Sequence, residues 1–572
     1  MQVERLPGEQ YDSVALLLLE AGSAYLQLVG TNGKIWKDED AILVGCFAAA
    51  NAGRGVGCDH CGAVDDGLAW LRVPLSGELG DGGATPEDDL PRSALEYFDI
   101  KKSKCSELVD EADWFDVSGD GSKLVVGDQN RVFVVPANRK ADSDNSEDKV
   151  SVDLSRARFM ASPVALWRAA YEEAGRAVRH DYWVPDMADV DWDGVLAQYR
   201  PLLDKISTPD DFADVLYEVL GELGTSHAYV HSRGRPHLHG HRTGLLGADL
   251  EPSAEGWRIR RVLPTESSDP RARSPLAAPG ASLAPGDLIA AIDGQPVDPA
   301  TGPGPLLVGT AGKPVELSVI RAKDGKPHRA VVVPLASDRR LRYQDWVSGR
   351  RALTRELGQD RVGYLHVPDM QSEGWSDFHR DMGAEIPREA LIVDVRANRG
   401  GHTSQLVLEK LTRKIIAWEV SLAYRPESYP TEAPRGPVIV IADQDSGSDG
   451  DIITGAVKLM GVGPVVGTRT WGGVLGITGF RELIDGTEFT VPQFAFWFSD
   501  LGWSVENYGV DPDVEVLITP DDWAAGRDTQ LETAVRMALE ALEAHPASQP
   551  PTTTDRPSKR RPSLPPRPAR QN

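Results

Sequence analysis

Two continuously apolar runs in the second half of the chain, EALIVDV and GPVIVIA, each end in a glycine-bearing loop, RANRGG and DQDSGSDG. A strand that is apolar at every position, not at alternate ones, must be covered on both faces, so its sheet lies between helices. With VGYLHVPDM before them and GPVVGTRTWGG after them, these runs make residues 340–543 an α/β domain.

At 572 residues the chain has room for two to four domains. Residues 1–145 read as short strands separated by turns, and WFDVSGDGSKLVVGDQNRVFVVPA has the strand–hairpin–strand rhythm of a propeller blade. Only two or three such units fit, too few to close a ring. Residues 150–235 turn helical: SPVALWRAAYEEAGRAVRHDYW repeats its apolar positions at three and four, and TPDDFADVLYEVLGELG follows Thr208 as N-cap. Residues 240–337 return to short strands with Gly and Pro turns and resemble a PDZ domain in LAPGDLIAAIDGQPV. That resemblance implies that Gly244-Leu245-Leu246-Gly247 offers its N–H groups to a peptide carboxylate. From residue 544 to 572 the chain is rich in Pro, Thr and Arg and is expected to be a disordered tail. The fold class expected is therefore multidomain α/β with β.

Composition excludes several functions. A net charge of −25 argues against a general affinity for nucleic acid, because phosphate contacts need a basic face. No apolar run reaches the roughly 20 residues of a membrane helix, and the first residues lack a basic start and cleavage site, so a cytoplasmic protein is expected. Four cysteines, Cys46, Cys58, Cys61 and Cys105, are too few for a disulfide framework. CDHC is at best half a zinc site, and the alternating His237, His239 and His241 read as a solvated loop, so neither a metal nor a cofactor is expected.

Four stretches could carry chemistry. In VIVIADQDSGSDGDIITGAVKLM a buried strand runs through a glycine-bracketed turn into a helix, and Ser448 sits at that turn beside unpaired backbone N–H groups. Residue 446 is serine, so the G-x-S-x-G elbow is not matched; taken alone, GSDGD also reads as a turn with a helix cap. DVRANRGG ends in Gly400 and Gly401, which let a carbonyl approach the backbone closely, or simply form a flexible turn. GWSVENYGV holds Glu506, a surface glutamate on spacing alone, yet set among apolar residues where a carboxylate needs a partner. GELGTSHAYV places Ser226 beside His227.

Taken together and in this order, these stretches resemble the tricorn protease family over roughly residues 95–540. The resemblance implies a Ser-His-Ser-Glu tetrad: Ser448 the nucleophile, His227 its general base, Ser226 the group that orients the imidazole, and Glu506 the carboxylate holding Ser226. It implies an oxyanion hole from the N–H groups of Gly401 and Asp449, and it puts Glu419 near the acidic residue of the specificity pocket, favouring a basic P1 side chain. It also implies oligopeptide substrates, a homo-oligomer (a hexamer in the family) and aminopeptidase partners. Members of the family carry two complete propellers before the helical domain, whereas this chain has room only for their last blades.

Two other readings compete. A tail-specific protease shares the PDZ and α/β arrangement but uses a Ser/Lys pair; here Gly473 stands where the lysine would be, and Lys458 is wrongly spaced. A PDZ-containing peptide-binding scaffold with a vestigial serine site is the reading from a different class.

Overall fold

The computed structural model describes residues 3–4, 13–20, 23–30, 56–64, 66–74, 92–129, 131–142, 148–154, 160–232 and 242–561. The side chains of Cys58 and Cys61 and the His237, His239 and His241 loop lie outside the described residues, while Cys105 is exposed. The chain divides into two compact units, residues 1–162 and 163–572.

Among its described residues the first unit is mainly β. Its sheets are a three-stranded one and two four-stranded antiparallel meanders, the first meander running through Val56–Val64, Gly67–Pro74, Ala94–Asp99 and Lys104–Val109. The second comprises Trp114–Val117, Lys123–Asp128, Arg131–Pro136 and Val150–Val152. Alternation buries Leu124 and Val126 on one face while Lys123 stays in solvent, as period-two side chains require.

The second unit begins with helices Pro163–Asp181, Trp192–Tyr199 and Pro209–Gly221. The last is started by a capping box in which the Thr208 side chain accepts from Asp211 N and the Asp211 side chain accepts from Thr208 N. Trp167 stacks on Phe212 at 6.5 Å, and the core they share with Tyr171 and Leu216 also takes in Phe489 and Val491, more than 260 residues downstream of Pro209–Gly221. Val230–His231 pairs antiparallel with Glu488–Phe489. Each buried apolar anchor of this kind contributes about 1.5–3 kcal/mol, so the segment after Gly221 is fixed against residues 488–491.

Residues 248–332 form an antiparallel sheet in the order Ala248–Ser253, Gly256–Val262, Leu288–Ile292, Val315–Ile320, Pro327–Val332. Its carboxylate loop differs from expectation. Gly244 N donates to Leu307 O at 2.7 Å and Leu245 N to Leu335 O at 2.8 Å, so two of the N–H groups expected to hold a peptide carboxylate are already satisfied by the chain itself.

The α/β part is a five-stranded parallel sheet in the order Val362–His366, Ala390–Asp394, Val438–Ala442, Val465–Gly467, Val514–Glu515. Every residue of the first three strands is buried. Helices Ser372–Glu385, Ser404–Leu411 and Asp449–Leu459 pack one face around Phe378, Val407 and Ile453; Arg339–Leu357 and Thr529–Ala544 pack the other around Val347, Leu531 and Val535. The two-sided cover is what the apolar strand runs demand. Beyond Ala544 the chain stays tied for a few residues: Ala547 is buried, Ser548 N donates to Arg435 O at 2.7 Å, and Arg435 Nε donates to Ser548 O at 3.0 Å.

Candidate active site

Ser448 stands at the junction of strand Val438–Ala442 and helix Asp449–Leu459, with φ 58° and ψ −117°. A serine in this region costs about 1–3 kcal/mol, which the surrounding structure must offset. Gly447 N donates to Asn398 O at 2.9 Å, Gly450 N to Gly447 O at 2.8 Å, and Ser446 Oγ to Val395 O at 2.7 Å. The turn is also glycine-bound by space: a Cβ on Gly400 would lie 2.5 Å from Ser448 Cβ, and one on Gly447 2.8 Å from the Trp471 ring.

His227 also has a positive φ, 58°. Thr490 holds it there: its Oγ1 donates to His227 O at 2.5 Å and accepts from Tyr229 N at 2.8 Å. The imidazole lies edge-on to the Trp471 and Tyr229 rings at 5.7 and 5.8 Å. Its Nε2 is 3.2 Å from Ser448 Oγ and its Nδ1 2.9 Å from Ser226 Oγ. Burial lowers its pKa from the ordinary histidine value, and the Glu506 charge opposes part of that fall.

Glu506 gathers four donors: Ser226 N at 2.6 Å, Ser226 Oγ at 3.1 Å, Val474 N at 2.7 Å and Leu475 N at 3.0 Å. A carboxylate only accepts, so the Ser226 hydroxyl spends its proton on Glu506 and its oxygen is left to accept from His227 Nδ1–H. That fixes one tautomer and turns the Nε2 lone pair toward the Ser448 hydroxyl. Next to Glu506, Asn507 Nδ2 donates to Gly224 O at 2.6 Å, a second tie between the two segments.

Gly401 has φ 147°, and a Cβ there would come 2.0 Å from Met370 O. Asp449 opens its helix and turns its carboxylate away to Ser404, accepting from N at 2.9 Å and Oγ at 2.5 Å; burial raises its pKa. Among the described residues neither the Gly401 nor the Asp449 N–H donates to a protein acceptor. Gly400 packs against Ser448, and Gly401 and Asp449 follow these two residues in the chain.

Ser448 and His227 open on a cleft of about 250 Å³ lined also by Tyr229, Asn398, Arg399, Gln444, Asp445, Gly447 and Trp471, and neither Gly401 nor Asp449 is among its lining residues. Glu419 does not line it. That residue lies on an exposed two-stranded ribbon, paired opposite Glu427. Gly473 N donates to Asp451 Oδ2 at 3.1 Å, and Lys458 Nζ donates to Asp511 O at 2.5 Å and pairs with Asp513, away from the cleft. Sequence reading passed over Asp451, whose buried carboxylate also accepts from Gly472 N at 2.8 Å, as well as Thr490, Trp471 and Asn398. Only Asp451 left a signal, as a second acidic residue in the first turn of a helix that begins at the serine. Among the described residues no cluster of His, Cys, Asp and Glu could hold a metal ion, and no helix is long and apolar enough to cross a membrane.

Comparison with known proteins agrees with this layout. Residues 163–221 match the tricorn protease C1 domain, residues 244–337 the tricorn protease PDZ domain and residues 361–516 peptidase family S41. Tricorn protease homolog 1 of Streptomyces coelicolor is 56% identical over 492 residues, covering 86% of this chain and 46% of that protein. The tricorn protease of Thermoplasma volcanium is 34% identical over 481 residues, covering 84% of this chain and 46% of that protein. A crystal structure of the tricorn protease superposes with a TM-score of 0.74 at 32% identity, over 85% of this chain and 46% of that one. The chain spans about half the length of these relatives. With its C1, PDZ and S41 segments in sequence and each matched in turn, the chain belongs to the tricorn protease family of serine-type peptidases.

Proposed function

We propose that this chain hydrolyses short oligopeptides through a Ser-His-Ser-Glu tetrad. The observation that carries the reading is the unbroken run of hydrogen-bonding groups from Glu506 through Ser226 and His227 to Ser448, with separations of 3.1, 2.9 and 3.2 Å. In this mechanism His227 Nε2 takes the proton of Ser448 as Oγ attacks the scissile carbonyl, then returns it to the leaving amine. Ser226 holds the tautomer, and the Glu506 charge stabilises the imidazolium across one hydroxyl. The Gly401 and Asp449 N–H groups receive the negative charge on the carbonyl oxygen, each worth about 3–4 kcal/mol in the transition state. Water then repeats the cycle on the acyl-enzyme.

The remaining expectations share this footing. The four-stranded meanders of residues 56–152 are the shape of propeller blades, which supports reading them as the last blades of a family propeller. A homo-oligomer, hexameric as the family resemblance implies, aminopeptidases acting on the products and a cytoplasmic site of action are proposed with it. The role of Glu419 in a basic-P1 pocket has weaker support, since the cleft of a single chain is lined without it.

The test is cleavage of short fluorogenic peptides with basic, aromatic and acidic P1 residues by the wild type and by Ser448→Ala. Turnover abolished by the substitution is expected; equal turnover in both proteins overturns the reading. Labelling of Ser448 by a fluorophosphonate separates it from the peptide-binding scaffold, which the self-satisfied Gly244 and Leu245 N–H groups also disfavour.

A further inference from the structure

The segment Thr470-Trp471-Gly472-Gly473-Val474-Leu475 presents four consecutive backbone N–H groups to two carboxylates. Gly472 N donates to Asp451 Oδ1 at 2.8 Å and Gly473 N to Asp451 Oδ2 at 3.1 Å. Val474 N and Leu475 N donate to Glu506 Oε2 at 2.7 and 3.0 Å. Glu506 is the acid end of the hydrogen-bonded run, and Asp451 stands three residues beyond Ser448 in the first turn of helix Asp449–Leu459. One short stretch of chain is thus pinned to both ends of the proton path.

Its flanks are pinned as well. Trp471 N donates to Ser446 O at 3.1 Å in the turn before the nucleophile, and Asn507 N donates to Gly472 O at 2.7 Å beside Glu506. Thr470 is clamped to Val510, donating through N to Val510 O at 3.1 Å and accepting at Oγ1 from Val510 N at 2.8 Å. Asp451 itself is fully buried. Burial raises its pKa, while the Thr470 hydroxyl and the N–H groups of Gly472, Gly473 and Ser448 favour the charged form. An acidic residue at the third position of a helix ordinarily serves its own N-terminus, reaching back to the N–H of the capping residue. Asp451 goes further and holds a loop 21 and 22 residues downstream. Capping does not call for those two bonds, whereas fixing the distance between nucleophile and acid does.

We infer that Asp451 is a positioning residue of the peptidase. Through Gly472 and Gly473 it sets where Val474 and Leu475 hold Glu506, and hence how the Glu506, Ser226 and His227 relay is spaced from Ser448. Asp451 acts through the loop and not on the reacting atoms. This rests on the peptidase reading and adds to it the group that keeps its two ends in register. A displacement of about 1 Å in such a geometry is enough for a loss on the order of a hundredfold in rate.

The test uses Asp451→Asn, which keeps the shape and one acceptor oxygen but turns an NH2 donor toward the second N–H. Turnover of a short fluorogenic peptide is measured for the wild type, Asp451→Asn, Glu506→Gln and the double variant. Each kcat is counted per site labelled to completion by a fluorophosphonate, so unfolded protein drops out. Asp451→Asn is expected to lower kcat at least about tenfold with KM changed less than about twofold. The acid limb of kcat/KM should move to lower pH, as in Glu506→Gln. His227, packed by Tyr229 and Trp471, then feels less of the Glu506 charge that raises its pKa. In the Glu506→Gln background the same substitution should cost less than about twofold, because the relay it positions is already disabled. Losses that multiply in the double variant overturn the inference and leave the peptidase intact. A wild-type kcat per labelled site in Asp451→Asn does the same, by showing that Asp451 only stabilises the fold. Should Asp451→Asn fail to fold, Asp451→Glu, which keeps the charge and lengthens the arm by one methylene, is held to the same outcomes. A wild type with neither turnover nor labelling overturns the peptidase reading instead.

Discussion

Ser226 and Glu506 are joined twice across 280 residues of sequence, the backbone N–H donating at 2.6 Å and the hydroxyl at 3.1 Å to the two carboxylate oxygens. The first bond holds the segment and the second sets the proton on Ser226, so the two substitutions that break the pair should differ. Ser226→Ala leaves the backbone bond and removes the hydroxyl that accepts from His227 Nδ1–H and donates to Glu506. It should cut kcat on the order of a hundredfold with KM nearly unchanged, the pattern of a group acting only in the transition state. Equal losses in kcat and in binding would mean that Ser226 merely shapes the cleft.

Glu506→Gln acts on the pH profile. Burial holds the His227 pKa below its ordinary value, and Glu506 pulls it back up. In the proposed mechanism the neutral imidazole is the base, so kcat/KM should fall as pH drops through that lowered pKa, placing the acid limb below pH ~6.5. Removing the Glu506 charge lowers the pKa further, so the limb should move to more acidic pH while the plateau falls. A limb that moves upward would show that another group titrates there.

Gly401→Ala tests the proposed oxyanion site. The new Cβ meets Met370 O at 2.0 Å in a backbone conformation that alanine avoids, so the loop must shift and carry its N–H with it. Loss of one such donor corresponds to about 100- to 1000-fold in kcat. Slower fluorophosphonate labelling of Ser448 in the same variant should accompany that loss, since the phosphonyl oxygen needs the same donor.

Much of this arrangement was legible in the chain, and the legible parts share a cause. Apolar strand runs, the Thr208 cap and the turn at Ser448 are local, each decided within a few residues of itself. What escaped was decided across distance. Nothing near Glu506 in sequence shows that Val474, Leu475 and Ser226 will converge on it. Nothing in Gly244-Leu245-Leu246-Gly247 shows that Leu307 and Leu335 will take up its N–H groups. Trp471, which backs both His227 and Gly447, passes unremarked in TRTWGG because its value lies wholly in what it touches. The family resemblance supplied the long-range pairing that periodicity and spacing lacked.

The last prediction concerns the support beneath the loop that carries Gly400 and Gly401. Arg396 is buried, donating through Nε to Asp394 Oδ1 at 2.9 Å, through Nη2 to Asp394 Oδ2 at 2.6 Å and through Nη1 to Asp528 Oδ1 at 2.9 Å. It links the end of strand Ala390–Asp394 to the N-cap of helix Thr529–Ala544. Arg396→Met leaves the buried Asp394 carboxylate without its cation, while Asp528 keeps Arg350 Nη1 at 2.8 Å, at a cost of about 3–5 kcal/mol. Thermal unfolding should show a lower Tm, and lowering the pH toward the carboxylate range should narrow the gap to wild type, because Arg396 helps hold the Asp528 carboxyl below its ordinary range and that contribution is lost as the carboxyl protonates. Asp394 and Asp528 replaced together by Asn in the same background should recover part of the loss. If Arg396→Met unfolds at the wild-type temperature at neutral pH, the triad is not what holds this loop.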